Sequence, residues 1–382
     1  MSATHEPAGT QLAEEVFRMA ATAVDVPPAP VEGVVAAARA RRRRRRSVVA
    51  LAVAASLALV GVGTWLGTRP APAPEQEPQP RVVEADNPAD VAWWANNVLH
   101  LEHVAVELPG VEDLVPLGSG AVVGDERGGV VLIEGDGHLV TIGHKVAGAP
   151  LAASGKPGWV AWVDPRDHAP RLVVYDVADR RVQGVLDLPY SGQRRLDHGS
   201  YPIAIDGGRV YYASLGGDYV WTPSGAQPER IDDEGLLDVA AGTRVGAVRA
   251  RHIGITQPFF SVSYVRDGTD AQLSPDGLQV LTRTTSARVS GPFGPVAIYD
   301  ARSGERLWTG LRRGDVAVAA TFGPGDAVTY VVAHRAHEPQ AVEFERMALT
   351  GPYELRTCQI EAQSCTSVTT FPHTGSLPVL PS

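Results

Sequence analysis

The chain is poor in cysteine, lysine and catalytic motifs. It has two cysteines, Cys358 and Cys365, and two lysines, Lys145 and Lys156, among 382 residues. No cysteine lies near the apolar residues 47–67, which excludes a lipid-modified cysteine there. The cysteine pair lacks the C-x-x-C spacing of a thioredoxin-like redox site. No G-x-S-x-G nucleophile elbow, H-E-x-x-H zinc helix, phosphate-binding G-x-x-x-x-G-K or calcium-loop pattern occurs. No catalytic residue, metal ligand or cofactor is therefore expected.

Positive charge is also short. Lys and Arg number 34 against 43 Asp and Glu, a net −9. The balance is uneven: residues 1–46 hold eight arginines and five acids, and the remainder carries −12. An acidic main part argues against nucleic acid as a partner.

What the chain does have is a run of six arginines, Arg41, Arg42, Arg43, Arg44, Arg45 and Arg46. It stands directly before 21 residues, 47–67, without a charged side chain. At about 1.5 Å per residue these would make a helix of roughly 31 Å, against a hydrocarbon core of about 30 Å. Four Leu and five Val in the run favour insertion by about 4 kcal/mol. Positive flanks resist translocation. The expectation is one transmembrane helix over 47–67, with residues 1–46 cytoplasmic and the carboxy-terminal domain outside the cell. The arginines would lie at the membrane edge against anionic lipid. A cleaved signal peptide competes with this reading, but the run is long for one and no clean A-x-A-like site follows it.

Residues 11–26 read as a short amphipathic helix, with Leu12, Val16, Ala20 and Val24 at four-residue spacing. Pro27, Pro28 and Pro30 end it. Alone it is too short to hold in water. Its functional reading is a docking helix for a cytoplasmic regulator; its bland reading is a membrane-surface segment. Residues 68–90 carry Pro70, Pro72, Pro74, Pro78 and Pro80 and read as an extended linker.

From residue 91 to residue 382 the pattern changes to short alternating strands broken by turn signals. GGVVLIEGDGHLVTIG (128–143) reads as strand, turn, strand, with Asp136-Gly137 in the turn. Close strand spacing without a helical period means an all-β sandwich, barrel or propeller. Internal repeats decide among them. LVVYDVADRRVQGVL (172–186) resembles VAIYDARSGERLWTGL (296–311), and Tyr175-Asp176 stands 124 residues before Tyr299-Asp300. That separation is about three units of 41, and a period near 40 marks propeller blades. One blade cannot bury both its faces, so a ring of blades closes the core. Units begin near residues 111, 146, 197, 236, 271 and 316, giving six blades. Seven is the alternative, because 236–270 and 334–356 are hard to phase. Residues 98–108 are expected to close the ring against the last blade.

Ser274-Pro275-Asp276-Gly277, within LSPDGLQVLT, resembles the turn between the first two strands of a blade in TolB-type and WD-repeat propellers. The whole layout is similar to membrane-anchored propeller proteins of actinobacteria: short helix, arginine run, apolar helix, Pro-rich linker, propeller. Such proteins are often encoded beside sigma factors and are generally not enzymes. The resemblance implies a regulatory, non-catalytic role.

The remaining candidates have bland readings that weigh more. Trp93 and Trp94 are expected to pack as a first strand rather than form an aromatic platform. Phe259 and Phe260 lie in an irregular stretch, 251–270, where core packing is again expected. His100 and His103, like His334 and His337, are three apart and point to opposite faces of a strand, so they are not expected to bind metal. Asp232-Asp233-Glu234 reads as a solvated acidic turn. A two-residue turn at Glu361-Ala362 would place Cys358 opposite Cys365, a register that allows a cross-strand disulfide. The expected function is a non-catalytic binding or sensing module for an extracytoplasmic protein or small ligand, signalling to a cytoplasmic regulator such as a sigma factor. Other readings are an anti-sigma-like role for residues 1–46, and a propeller hydrolase or lactonase.

Overall fold

The computed structural model describes residues 80–381, except 157, 166–169, 190–199, 226, 232–234, 250–251, 259, 284–293, 335–351 and 373–376. The chain divides into two compact units, Met1–Glu77 and Pro78–Ser382; only the second is described. The expected cytoplasmic segment, the apolar helix over 47–67 and the linker to residue 79 lie outside the described residues. Among the described residues no helix is long and apolar enough to cross a membrane.

Alternating apolar residues and frequent turns produce seven antiparallel four-stranded sheets among the described residues. The first holds β1 (Val82–Glu84), β2 (Trp93–Ala95), β3 (Val98–His100) and β4 (Val104–Glu107), in the order β1-β4-β3-β2. The other six are simple meanders. Blade 2 is β5 (Val111–Leu117), β6 (Gly120–Asp125), β7 (Gly129–Ile133) and β8 (Leu139–His144). Blade 3 is β9 (Ala152–Ser154), β10 (Trp159–Asp164), β11 (Arg171–Asp176) and β12 (Arg181–Asp187). Blade 4 is β13 (Tyr201–Asp206), β14 (Arg209–Ser214), β15 (Gly217–Trp221) and β16 (Glu229–Arg230). Blade 5 is β17 (Leu236–Ala240), β18 (Thr243–Arg249), β19 (His252–Gln257) and β20 (Phe260–Asp267). Blade 6 is β21 (Asp270–Leu273), β22 (Gln279–Arg283), β23 (Val296–Asp300) and β24 (Arg306–Leu307). Blade 7 is β25 (Asp315–Phe322), β26 (Ala327–His334), β27 (Tyr353–Gln359) and β28 (Ser364–Phe371).

The first strands β5, β9, β13, β17 and β21 meet in succession, so they are the innermost. A separate apolar cluster fills each joint between neighbouring sheets. Val130 and Leu132 meet Val160 and Trp162 between blades 2 and 3, and Ile298 meets Val328 and Tyr330 between blades 6 and 7. The last joint brings Val331, Tyr353 and Phe371 of blade 7 against Trp93 of blade 1 and the carboxy-terminal Leu380. This closes the ring. The fold is a seven-bladed, all-β propeller.

Blade 1 is assembled from both ends of the chain. Only residues 108–110 join β4 to β5, and the Leu108 N–H donates to the Asn97 carbonyl at 2.8 Å. Therefore β4 ends on the face where β5 begins. It runs as a fourth strand, β3 as a third and β2 as a second. The place of the first strand is taken by Val379, which exchanges both backbone hydrogen bonds with Trp94, each 2.9 Å. β1 is an additional strand at the outer edge, with Val82 opposite Val106.

Three expectations are corrected here. There are seven blades, as in the alternative count, and not six. The starts at 111, 236, 271 and 316 fall at or next to the first residues of β5, β17, β21 and β25. Those at 146 and 197 lie shortly before β9 and β13. The missing unit is blade 1, whose strands are not contiguous and so leave no repeat to count. The ring is closed by Val379 rather than by residues 98–108, which form β3 and β4. Part of the expected linker, Val82–Glu84, is a paired strand.

Candidate binding face

In an antiparallel meander, turns from first to second strand and from third to fourth emerge on one face. Connections from second to third strand, and from blade to blade, emerge on the other. Among the described residues, the first face carries short turns bonded within themselves or to the turn of the next blade. In the Ser274-Pro275-Asp276-Gly277 turn between β21 and β22, the Ser274 hydroxyl donates to Asp276 Oδ1 at 2.6 Å and accepts the Gln279 N–H at 2.9 Å. Gly277 has φ +70°, and a Cβ there would strike the Ala240 carbonyl of the neighbouring blade. The Asp206 carboxylate receives the N–H groups of Ala241 (3.1 Å) and Gly242 (2.9 Å) from the next blade's turn. The Tyr-Asp repeats end β11 and β23, third strands three blades apart. Asp300 Oδ1 caps its turn by accepting from Arg302 N–H (2.9 Å) and Ser303 N–H (2.6 Å). Turn-forming aspartates of this kind are structural.

The second face differs. The three longest connections between successive strands, 188–200, 284–295 and 335–352, join strand ends on this side. Here also lie charged groups that periodicity does not reveal. Lys145 is buried with its ammonium 2.7 Å from Asp113, 3.5 Å from Glu112 and 2.7 Å from the Ala149 carbonyl. Gly124 makes room for it, since a Cβ there would land on the lysine stem. Burial pushes the Asp113 carboxyl up and the Lys145 ammonium opposes that shift. In blade 7, Arg356 is buried and donates to Asp315 Oδ2 at 2.6 Å and to both Glu354 oxygens at 3.1 and 2.7 Å. The Glu354 hydrogen bonds raise the arginine's pKa further, against its burial.

Other side chains serve the inner strands. The edge of each innermost strand would otherwise present unpaired backbone groups. Asp238 Oδ2 accepts the Leu273 N–H of the next blade at 2.7 Å, and Asp218 Oδ2 accepts the Leu236 N–H at 2.7 Å. The Arg283 guanidinium donates to the carbonyls of Ala317 (2.8 Å) and Val318 (3.3 Å) in blade 7. One sequence signal for these positions existed. Gly110-Val111-Glu112-Asp113 and Gly235-Leu236-Leu237-Asp238 repeat, and both segments carry the same register shift two residues before the next ladder pair.

Among the described aromatic and histidine candidates, Trp93, Trp94 and His100 pack within blade 1. Trp93 and Trp94 are buried; their indole N–H groups donate to Asn87 Oδ1 (3.0 Å) and the Leu108 carbonyl (2.7 Å). His100 stacks on Trp93 at 3.8 Å, and burial lowers its pKa to about 4. His103 stands on the surface, 3.4 Å from Asp86. The side chains of Phe260 and His334, and all of Phe259, His337 and 232–234, lie outside the described residues. Arg41 to Arg46 lie there too. Among the described residues no group of three or more His, Cys, Asp or Glu could hold a metal ion.

Cys358 and Cys365 stand opposite each other in the β27–β28 register and are joined as a disulfide. Gly310, with φ +73°, lies directly over both sulfurs, where a Cβ could not fit. Replacing both cysteines with serine should leave the fold intact and lower stability by about 2.5 kcal/mol, the chain-entropy value for so small a loop. Chemical denaturation of the oxidised parent and the double variant measures this.

No family model and no curated protein matches the chain. Solved structures with a similar fold include TolB from Acinetobacter baumannii, at 16% identity and TM-score 0.38, covering 76% of this chain and 66% of that one. BamB from Moraxella catarrhalis matches at 13% and 0.39, covering 78% and 92%. The Cps50 (Swd1) β-propeller domain of Myceliophteria thermophila matches at 10% and 0.47, covering 74% and 90%. Likeness at this level concerns the fold alone.

Proposed function

We propose that this chain is a membrane-anchored, non-catalytic binding or sensing module. Its propeller lies outside the cytoplasm and receives a protein or small ligand on the face of long connections. The observation that carries this reading is the asymmetry between the faces: short self-bonded turns on one, the three longest connections on the other. Recognition residues concentrate on loops held by a rigid scaffold, and a propeller ring is such a scaffold. The buried charges named above brace strands and blades, which fits a frame better than a reaction centre. The disulfide suits an oxidising compartment. The anchor over 47–67 and the signalling role of residues 1–46 toward a cytoplasmic regulator rest on the sequence.

Protease added to intact cells should digest the propeller while the full chain stays with the membrane fraction. Protection of the propeller, or release of a soluble form beginning after residue 67, would overturn the proposed topology. A pull-down with residues 1–46 should retain a cytoplasmic regulator.

A further inference from the structure

The connection from blade 6 to blade 7, residues 308–314, forms a strap at the joint between them. Trp308 and Leu311 of the strap are partly buried against the cluster that fills this joint, which includes Cys358, Ile360 and Phe322. Gly310 stands between them on the disulfide, its carbonyl 3.7 Å from Cys365 Sγ. With φ +73° and no room for a Cβ, this position demands glycine. Farther on, the Arg312 N–H donates to Asp315 Oδ2 at 2.9 Å, and the Asp315 N–H donates to the Arg312 carbonyl at 3.0 Å. The strap therefore runs from the disulfide to the Asp315–Arg356 pair.

Two features set this disulfide apart from a plain staple. The β27–β28 ladder carries seven pairs, so the hairpin holds without a covalent bond near its turn. The two sulfurs also differ in access, since Cys358 is fully buried and Cys365 only partly so. We propose that the Cys358–Cys365 disulfide is a reducible latch whose state sets the position of the strap 308–314. This inference does not depend on what the propeller binds.

The reductant is a dithiol. Its thiolate attacks Cys365 Sγ, the more accessible sulfur, and the Cys358–Cys365 bond breaks. Cys358 leaves as a thiolate and takes up a proton. The second thiolate of the reductant then attacks the mixed disulfide and releases Cys365, which is protonated in turn. The protein disulfide gains two electrons and two protons, and the dithiol is oxidised to its own disulfide. Two thiols need more room than the bonded pair, and Gly310 already lies in contact with both sulfurs. The strap yields rather than the ladder, because its contacts are few and the ladder's bonds are many. Reduction thus lifts Gly310, draws Trp308 and Leu311 out of the joint, and pulls on the Arg312–Asp315 bonds.

Hydrogen exchange read by mass spectrometry tests this in the full chain held in detergent, before and after dithiothreitol, with thiols counted by alkylation. Reduction should yield two thiols and speed exchange over 308–314 on the order of tenfold, while β27 and β28 stay protected. Reoxidation should restore the slow rate. The double variant Cys358→Ala, Cys365→Ala removes the crowding sulfurs, so its strap should exchange as slowly as in the oxidised parent and ignore dithiothreitol. Gly310→Ala should free the strap even with the disulfide intact. A folded parent that dithiothreitol cannot reduce, or an unchanged strap after complete reduction, overturns the proposal. So does faster exchange in β27 and β28 without a change in the strap, or a strap equally loose in the double alanine variant. Should that variant fail to fold, Gly310→Ala decides: an unchanged strap overturns the proposal.

Discussion

Replacing Arg356 with leucine should destabilise the propeller by about 3–5 kcal/mol, the cost of removing one partner of a buried ion pair. Asp315 and Glu354 are 4% and 13% exposed at their side chains, so neither can turn to water. Both lie near the start of strands in blade 7, and the Arg312 N–H also donates to Asp315 at 2.9 Å. Replacing all three residues with apolar ones of similar size should recover most of the loss, because an ion triad is worth little against good packing. Urea denaturation of the parent, single and triple variants at neutral pH reads both effects. Equal stability of parent and Arg356→Leu at neutral pH would remove the triad from the account.

Deleting residues 377–382 should be comparably severe, at about 4–6 kcal/mol, from loss of one buried leucine and of the bonds to Trp94. Leu380 packs with Trp93, Val331 and Phe371 in the joint between blades 7 and 1. Without Val379, the Trp94 N–H and carbonyl lose their partners next to two bulky indoles. The outer edge of the same blade should behave differently. Val83 on β1 is exposed, so Val83→Thr should cost under about 0.5 kcal/mol. Thermal unfolding followed by tryptophan fluorescence compares the two. A mild effect of the deletion would mean that the ring is not clasped by its carboxy terminus.

The parts legible in the sequence are those set by local chemistry. Ser274 to Gly277 bond within the turn they form. The Cys358–Cys365 register needs only a hairpin with a tight turn. The Tyr-Asp repeats recur because third strands of blades end in the same cap. The parts that escaped depend on distant partners. Asp315 and Arg356 are 41 residues apart, and Glu112 and Lys145 are 33 apart; no short-range period joins them. The clasp was hidden for another reason. Pro378 and Pro381 flank the pair around Val379, and proline in so short a run reads as a segment outside any strand. Once that strand is missed, blade 1 has no complete unit and the count falls to six. The face asymmetry was likewise invisible, because connection length acquires a side only when the strands are placed in order.

The central claim is that one face of the propeller binds, and photo-crosslinking in cells tests it most directly. Leu215 and Val248 lie at strand ends on the face of long connections; Leu278 and Val182 lie toward the opposite face, and all four are exposed. A photoreactive residue at each position in turn, in the full chain, reports what touches it, and mass analysis reads a protein or a small-ligand adduct alike. The account predicts adducts from Leu215 and Val248 and none from Leu278 and Val182. Adducts confined to Leu278 and Val182, or the same pattern at all four, would contradict it.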